Sequence, residues 1–366
     1  MKLRISLHYF LTILSLLMPL HIYTTKDNTV VATINVGITP AGIAITPDGK
    51  HAYVANNNNY SLAGEDSVSV IKLKDNTITQ TIFDSSFNQP YTITINANGT
   101  KAYVTNSNST TITIIDAATN TVLGVINGFD GPSGMVITPA GGRAYVNNYG
   151  GPEGVGSGNA TTVRVVNLNT NTIIGAPIIV GLAPAALAIT PDGKFVYVVN
   201  YVDGNPGTGT ISIIQTSNNT VIGTINGFSG PFAIAITPDS KYAYVTNFGS
   251  NNFEPIGTTV SIVKLKDNTI VKTIELGIQP SGLAITPDGH FAYVSNYNTL
   301  YAGSNFTDLT AGQGTVNVID VHHKKLKSIT IPVGQSPDAI AITPDGKHAY
   351  VTNFTSNTVS VIKLPH

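Results

Sequence analysis

Ile342 to Asn353 reads ITPDGKHAYVTN, and six earlier stretches read nearly the same. They are Ile45 to Asn56 (ITPDGKHAYVAN), Ile95 to Asn106 (INANGTKAYVTN), Ile137 to Asn148 (ITPAGGRAYVNN), Ile189 to Asn200 (ITPDGKFVYVVN), Ile236 to Asn247 (ITPDSKYAYVTN) and Ile285 to Asn296 (ITPDGHFAYVSN). Their starts lie 42 to 57 residues apart, the period of a four-stranded unit. Within each unit an alternating apolar run meets a Pro-Asp-Gly type turn and continues into Ala-Tyr-Val, or Val-Tyr-Val in the fourth, the signature of a β-hairpin. We label its strands A and B. A third run follows, such as Val68 to Leu73, then Lys-Asp-Asn-Thr and a fourth run such as Thr269 to Leu276; these are strands C and D.

Seven four-stranded units in one chain predict an all-β fold, a seven-bladed β-propeller. Strand A alternates bulky Ile43, Ile93, Met135, Leu187, Ile234, Leu283 and Ile340 with smaller residues, so each blade has a thick face to set on the thin face of the next. The seven tyrosines Tyr53, Tyr103, Tyr145, Tyr197, Tyr244, Tyr293 and Tyr350 are read as core aromatics. The last unit stops after strand C. Its missing element sits at the other end, where residues 26–37 read KDNTVVATINVG against KDNTIVKTIELG at 266–277. The N-terminal strand is therefore expected to complete the last blade and close the ring.

Composition narrows the function. Charged residues make up 11% of the chain and the formal net charge is −1, with three arginines, so the basic footprint of a nucleic-acid binder is missing. The chain has no cysteine, which excludes disulfides and thiolate chemistry. Residues 1–25 open with MKLR and an apolar run from Ile5 to Tyr23, the order of a signal peptide or an N-terminal anchor, and residues 26–366 form the propeller. Export to the cell surface, the periplasm or the medium is expected, with membrane contact only through an uncleaved N-terminal segment.

The units resemble the YVTN repeats of propellers in surface-layer-type and secreted proteins, over everything after about residue 26. That resemblance implies an extracytoplasmic seven-bladed ring with distant architectural similarity to lactonase-like propellers.

Two features mark one rim. The connections between strands B and C contain no Lys or Arg and carry Glu65, Asp66, Glu153, Asp203, Glu254 and Asp308; Asp338 stands at a strand A entrance on the same side. Five blades place an aromatic directly after the strand B Asn: Tyr149, Tyr201, Phe248, Tyr297 and Phe354. The opposite rim carries Lys50, Lys101, Arg143, Lys194, Lys241 and Lys347, which predicts a ring polarised along its axis. The expected role is a binding module for a glycan, a cell-wall polymer or a protein partner on the acidic, aromatic rim, with packing beneath the loops as the alternative for the aromatics. No organic cofactor is expected; oxygen-rich loops would suit Ca²⁺. A monomeric ring is expected. The rival readings are a lactonase-like hydrolase at the channel mouth and a structural surface-coat repeat. Mass spectrometry of the protein from its native host should find it outside the cytoplasm, and a cytoplasmic, full-length product would refute the export expectation.

Overall fold

Seven four-stranded antiparallel sheets stand around one axis in the computed structural model, which describes residues 27–58, 65–150, 160–201, 207–249, 256–301 and 309–365. Blade 1 is built in sequence order from Pro40–Ile45, His51–Asn56, Ser67–Lys72 and Thr77–Phe83. Blades 2 to 6 repeat the pattern, their strands A starting at Pro90, Pro132, Pro184, Pro231 and Pro280. Blade 6 adds a short hairpin, Thr299–Tyr301 with Leu309–Ala311, between strands B and C. No described residue is helical.

Blade 7 takes strands A to C from Pro337–Ile342, His348–Asn353 and Thr358–Lys363, and its outer strand from Thr29–Asn35. The closing strand pairs from Thr29 opposite Lys363 to Asn35 opposite Thr358. Closure by the N-terminal strand is therefore as the repeat register predicted.

Each wedge between neighbouring blades holds its own hydrophobic core, seven in all. The strand B tyrosines are fully interior, as expected, and they also carry a polar duty. Tyr53, Tyr145, Tyr197, Tyr293 and Tyr350 donate their hydroxyls to Asn120, Asn219, Asn268, Asn28 and Asn76, each on the C-to-D turn of the next blade, at 2.5 to 2.9 Å. Those five asparagines hold φ between 55° and 61°, a left-handed conformation that Asn tolerates better than most residues. In blade 6 the turn carries Lys324 instead, and Tyr244 donates to the Val321 carbonyl while the Lys324 ammonium sits 4.1 Å from the Tyr242 ring. The Asn of Lys-Asp-Asn-Thr and the Tyr of Ala-Tyr-Val are thus two halves of one latch between blades. Burial pushes the Tyr53, Tyr197 and Tyr350 hydroxyls up to about 12, so the latch stays protonated across the physiological range.

Near the axis the strand B Thr or Ser does two jobs. In all seven blades the register of strand A against strand B slips just after the corner proline, for example between Pro90 and Ile93 and between Pro337 and Ile340. The freed amides of Thr92, Ala233, Gly282 and Ala339 donate to the hydroxyls of Thr105, Thr246, Ser295 and Thr352, each at 2.9 Å. Thr246, Ser295 and Thr352 in turn donate to strand A carbonyls of the next blade, at Ser281, Asp338 and Ala41. One hydroxyl therefore satisfies a bulge and ties two blades together.

Deleting residues 26–37 should lower the melting temperature sharply and cause aggregation, because blade 7 would lose its outer strand and Tyr293 its acceptor. Deleting residues 1–25 should leave melting unchanged. Tyr293→Phe should cost about 1 kcal/mol by chemical denaturation, the worth of one hydrogen bond. Equal melting of both truncations and the parent would refute the closure account.

Candidate functional site

Where strand A begins, the chain turns through a strained corner. The residues before the seven strand A prolines, Thr39, Gln89, Gly131, Ala183, Gly230, Gln279 and Ser336, all have φ between 47° and 56°. Proline disfavours folded conformations in the residue before it, and a left-handed φ costs a non-glycine residue about 1 kcal/mol or more. What holds the corner is one repeated hydrogen bond. Each corner carbonyl accepts the amide of the residue following the strand B Asn: Asn57, Ser107, Tyr149, Tyr201, Phe248, Tyr297 and Phe354, at 2.9 to 3.1 Å. The corners therefore pin these seven residues in a circle at the channel mouth.

Five of them are the aromatics singled out by sequence, and they converge. Tyr201, Phe248, Tyr149, Tyr297 and Phe232 form a cluster separate from the seven cores between blades. Ring centroids run from Tyr201 to Phe232 at 6.4 Å, on to Phe248 at 5.2 Å, to Tyr297 at 6.0 Å and to Phe354 at 6.3 Å. Edge-to-face and tilted contacts at these separations are mutually favourable. Blades 1 and 2 carry Asn57 and Ser107 at the same position, so this circle of rings spans blades 3 to 7.

A second ring of positions lies directly after the proline: Ala41, Tyr91, Ser133, Ala185, Phe232, Ser281 and Asp338. The register slip turns these residues out of strict alternation, which would otherwise have aimed them with Ile93, Ile234 and Ile340 into the wedges. Asp338 is half-buried, and loss of hydration pushes its carboxyl up to about 7. The Tyr91 hydroxyl is raised well above its usual value, first by burial, then by the charge of Asp338 and by Tyr149 and Tyr297. These partners come from blades 7, 3 and 6, so the Tyr91 side chain reaches in from blade 2 toward the axis. Backbone packing fixes both residues. A Cβ on Gly42 would lie 2.3 Å from the Tyr91 carbonyl oxygen, and one on Gly282 would lie 2.1 Å from that of Asp338, so only glycine permits the approach.

The rim and the mouth thus separate. Glu65 is exposed; Asp66 is half-buried, accepts the Gln89 amide at 2.8 Å and is raised by desolvation, which makes it a brace for the Gln89 corner. Glu153, Asp203, Glu254 and Asp308 lie outside the described residues. Among the described residues no three His, Cys, Asp or Glu side chains converge. Of the aromatics, Tyr201 exposes 4% and Phe248 5% of their surface, and the Tyr201 hydroxyl is committed to the Gly249 carbonyl. These two are corrected from ligand-facing residues to the packed floor of the collar, because their rings are enclosed by neighbouring rings. Tyr149, Tyr297 and Phe354 remain partly exposed. Sequence reading missed Tyr91 and Phe232; the available signal was a large aromatic directly after a corner proline. On the opposite rim, Lys50, Lys194 and Lys241 pair with Asp48, Asp192 and Asp239 of their own turns at 3.1 to 3.2 Å, so the expected basic face carries its own countercharge. Inter-blade grooves open on that rim, among them one of about 530 Å³ between blades 4 and 5 around Tyr197 and Lys241, well away from the aromatic collar.

The family described as "Lactonase, 7-bladed beta-propeller" matches residues 17–135 and 223–365. Two proteins of Mycobacterium tuberculosis are similar over shorter stretches. PE-PGRS family protein PE_PGRS18 is 46% identical over 59 residues, 16% of this chain and 13% of that protein. Seven-bladed beta-propeller protein Rv1057 is 38% identical over 112 residues, 30% of this chain and 26% of that protein. The matched region thus spans about a quarter or less of either relative's length. Among solved structures, Kuenenia stuttgartiensis hydrazine synthase superposes with a TM-score of 0.73 at 21% identity, covering 95% of this chain and 99% of that one, a likeness of fold alone. With seven sheets closed around one axis and the family match spanning most of the sequence, the chain belongs to the lactonase family of seven-bladed β-propellers.

Proposed function

We propose that this protein is an exported recognition propeller that takes its ligand at the mouth of the central channel. The observation that carries this reading is the run of contacting aromatic rings from blades 4 to 7 at the channel mouth, with Tyr91 reaching in from blade 2 to sense the half-buried Asp338 carboxyl. Enclosed aromatic surface with a few placed polar groups is the usual chemistry of a binding site. The apolar start of the chain and the resemblance to secreted, surface-layer-type YVTN propellers favour a glycan, a cell-wall polymer or an exposed segment of another surface protein as the partner. The carboxylates of the connections between strands B and C would steer approach by charge.

Lactonase-like hydrolysis is the second reading, favoured by the family match and by one carboxyl titrating near neutrality, where an acid or base catalyst works best. Against it, Asp338 has no titratable partner with which to divide acid and base roles among the described mouth residues other than Tyr91, whose proton is held firmly.

Calorimetry on the full chain reads binding at the mouth directly. A panel of glycans and of γ- and δ-lactones would separate the readings. Saturable binding lost in Tyr297→Ala supports recognition, whereas lactone turnover lost in Asp338→Asn would establish the hydrolase instead.

Asp338 also makes a stability prediction. Its folded pKa, about 7, lies above the unfolded value of 3.8, so the folded state is favoured below pH 4 and loses that advantage as pH rises toward 7. Asp338→Asn should therefore melt higher than the parent at pH 8, by an amount equivalent to at most about 4 kcal/mol, and the gain should vanish near pH 4. A gain independent of pH would contradict this assignment.

A further inference from the structure

The collar specifies a class of ligand, an inference that rests on the channel mouth being the binding site. No donor or cation among the described residues reaches the Asp338 carboxylate; Ser281 and Ser295 donate to that residue's backbone carbonyl instead. Beside it in blade 7, Phe354 follows the Asn353 that pairs with Pro337 and donates its amide to the Ser336 carbonyl, the Tyr297 ring lies 6.3 Å from that of Phe354, and Tyr91 is within electrostatic reach of Asp338, Tyr149 and Tyr297; all four rings are partly exposed. An aromatic face is the negative end of a quadrupole, so rings and carboxylate together attract positive charge. The site is poor for the alternatives. An anion meets a carboxylate and ring faces. A divalent metal finds one carboxylate where it needs six or more oxygens. A neutral sugar finds stacking surface, but few described groups to read its hydroxyls.

We infer that the channel mouth binds an organic ammonium group, with Tyr91, Tyr149, Tyr297 and Phe354 as its aromatic walls and Asp338 as its counterion. The cation spreads its charge over methyl or methylene groups, which suits contact with aromatic faces. Binding requires the ionised carboxylate and therefore strengthens as pH rises through the Asp338 titration.

Calorimetry on the full chain tests this with three probes: choline, its uncharged carbon isostere 3,3-dimethylbutan-1-ol, and cellotetraose as a neutral glycan. Choline should bind at least tenfold tighter than the isostere at pH 8. Asp338→Asn, shown folded by circular dichroism, should lose at least tenfold in choline affinity and should lose the tenfold weakening that the parent shows between pH 8 and pH 5.5. Equal binding of choline and isostere, or unchanged choline binding in Asp338→Asn, would overturn the inference. Cellotetraose binding that Tyr297→Ala abolishes, with none for choline, would overturn the cation assignment while keeping the mouth as the site. Binding of none of the three would overturn both.

Discussion

Closure is the constraint on which the rest of this molecule depends. A blade has no core of its own; its tyrosine and its thick strand A face are buried only by the next blade, and the seventh must find the first. The latch from Tyr to Asn repeats this dependence in hydrogen bonds. Because Tyr293 of blade 6 finds its acceptor in Asn28, the first described turn of the chain is also part of the last wedge. The N-terminal strand removes the open edge that an unclosed ring would present, and it couples blade 7 to blade 1 across almost the full length of the sequence.

Once the ring is closed, equivalent positions of seven blades face one axis. Positions that fill wedges stay uniform, as the interior Tyr-Val pairs of strand B do in all seven blades. The two circles at the channel mouth do not: one runs Asn, Ser, Tyr, Tyr, Phe, Tyr, Phe and the other Ala, Tyr, Ser, Ala, Phe, Ser, Asp. Uniform packing demands uniform residues, so variation at two pinned positions marks where the fold has been left free to take on chemistry. The corner strain serves the same end, since a left-handed residue before each proline holds the following strand B amide in one place.

The repeat period, the strand order and the missing outer strand were readable because each is a property of local pattern. Asp338 and the five aromatics after the strand B Asn were also readable as residues, though assigned to an acidic rim that loops would share. Their convergence was not, because it follows from the corner hydrogen bonds, which involve backbone carbonyls that no side chain announces. Tyr91 and Phe232 were hidden by alternation. Counting by twos from Ile93 or Ile234 sends them into a wedge, and only the register slip after the proline turns them to the axis. The Thr of Tyr-Val-Thr-Asn is a second example: its β-branched character reads as strand propensity, while in the fold its hydroxyl stitches the bulge to the neighbouring blade.

The claim that a half-buried carboxyl, its pKa held up by lost hydration, stands beside the aromatic collar at the channel mouth is most directly tested by the titration of Asp338 itself. In a protein labelled with ¹³C at the aspartate carboxyl carbons, assigned by comparison with Asp338→Asn, the account predicts an inflection near pH 7 for this residue alone among the channel-facing groups. An inflection near 4, that of an ordinary hydrated aspartate, would show the carboxyl to be solvated and the mouth not to be the enclosed site described above.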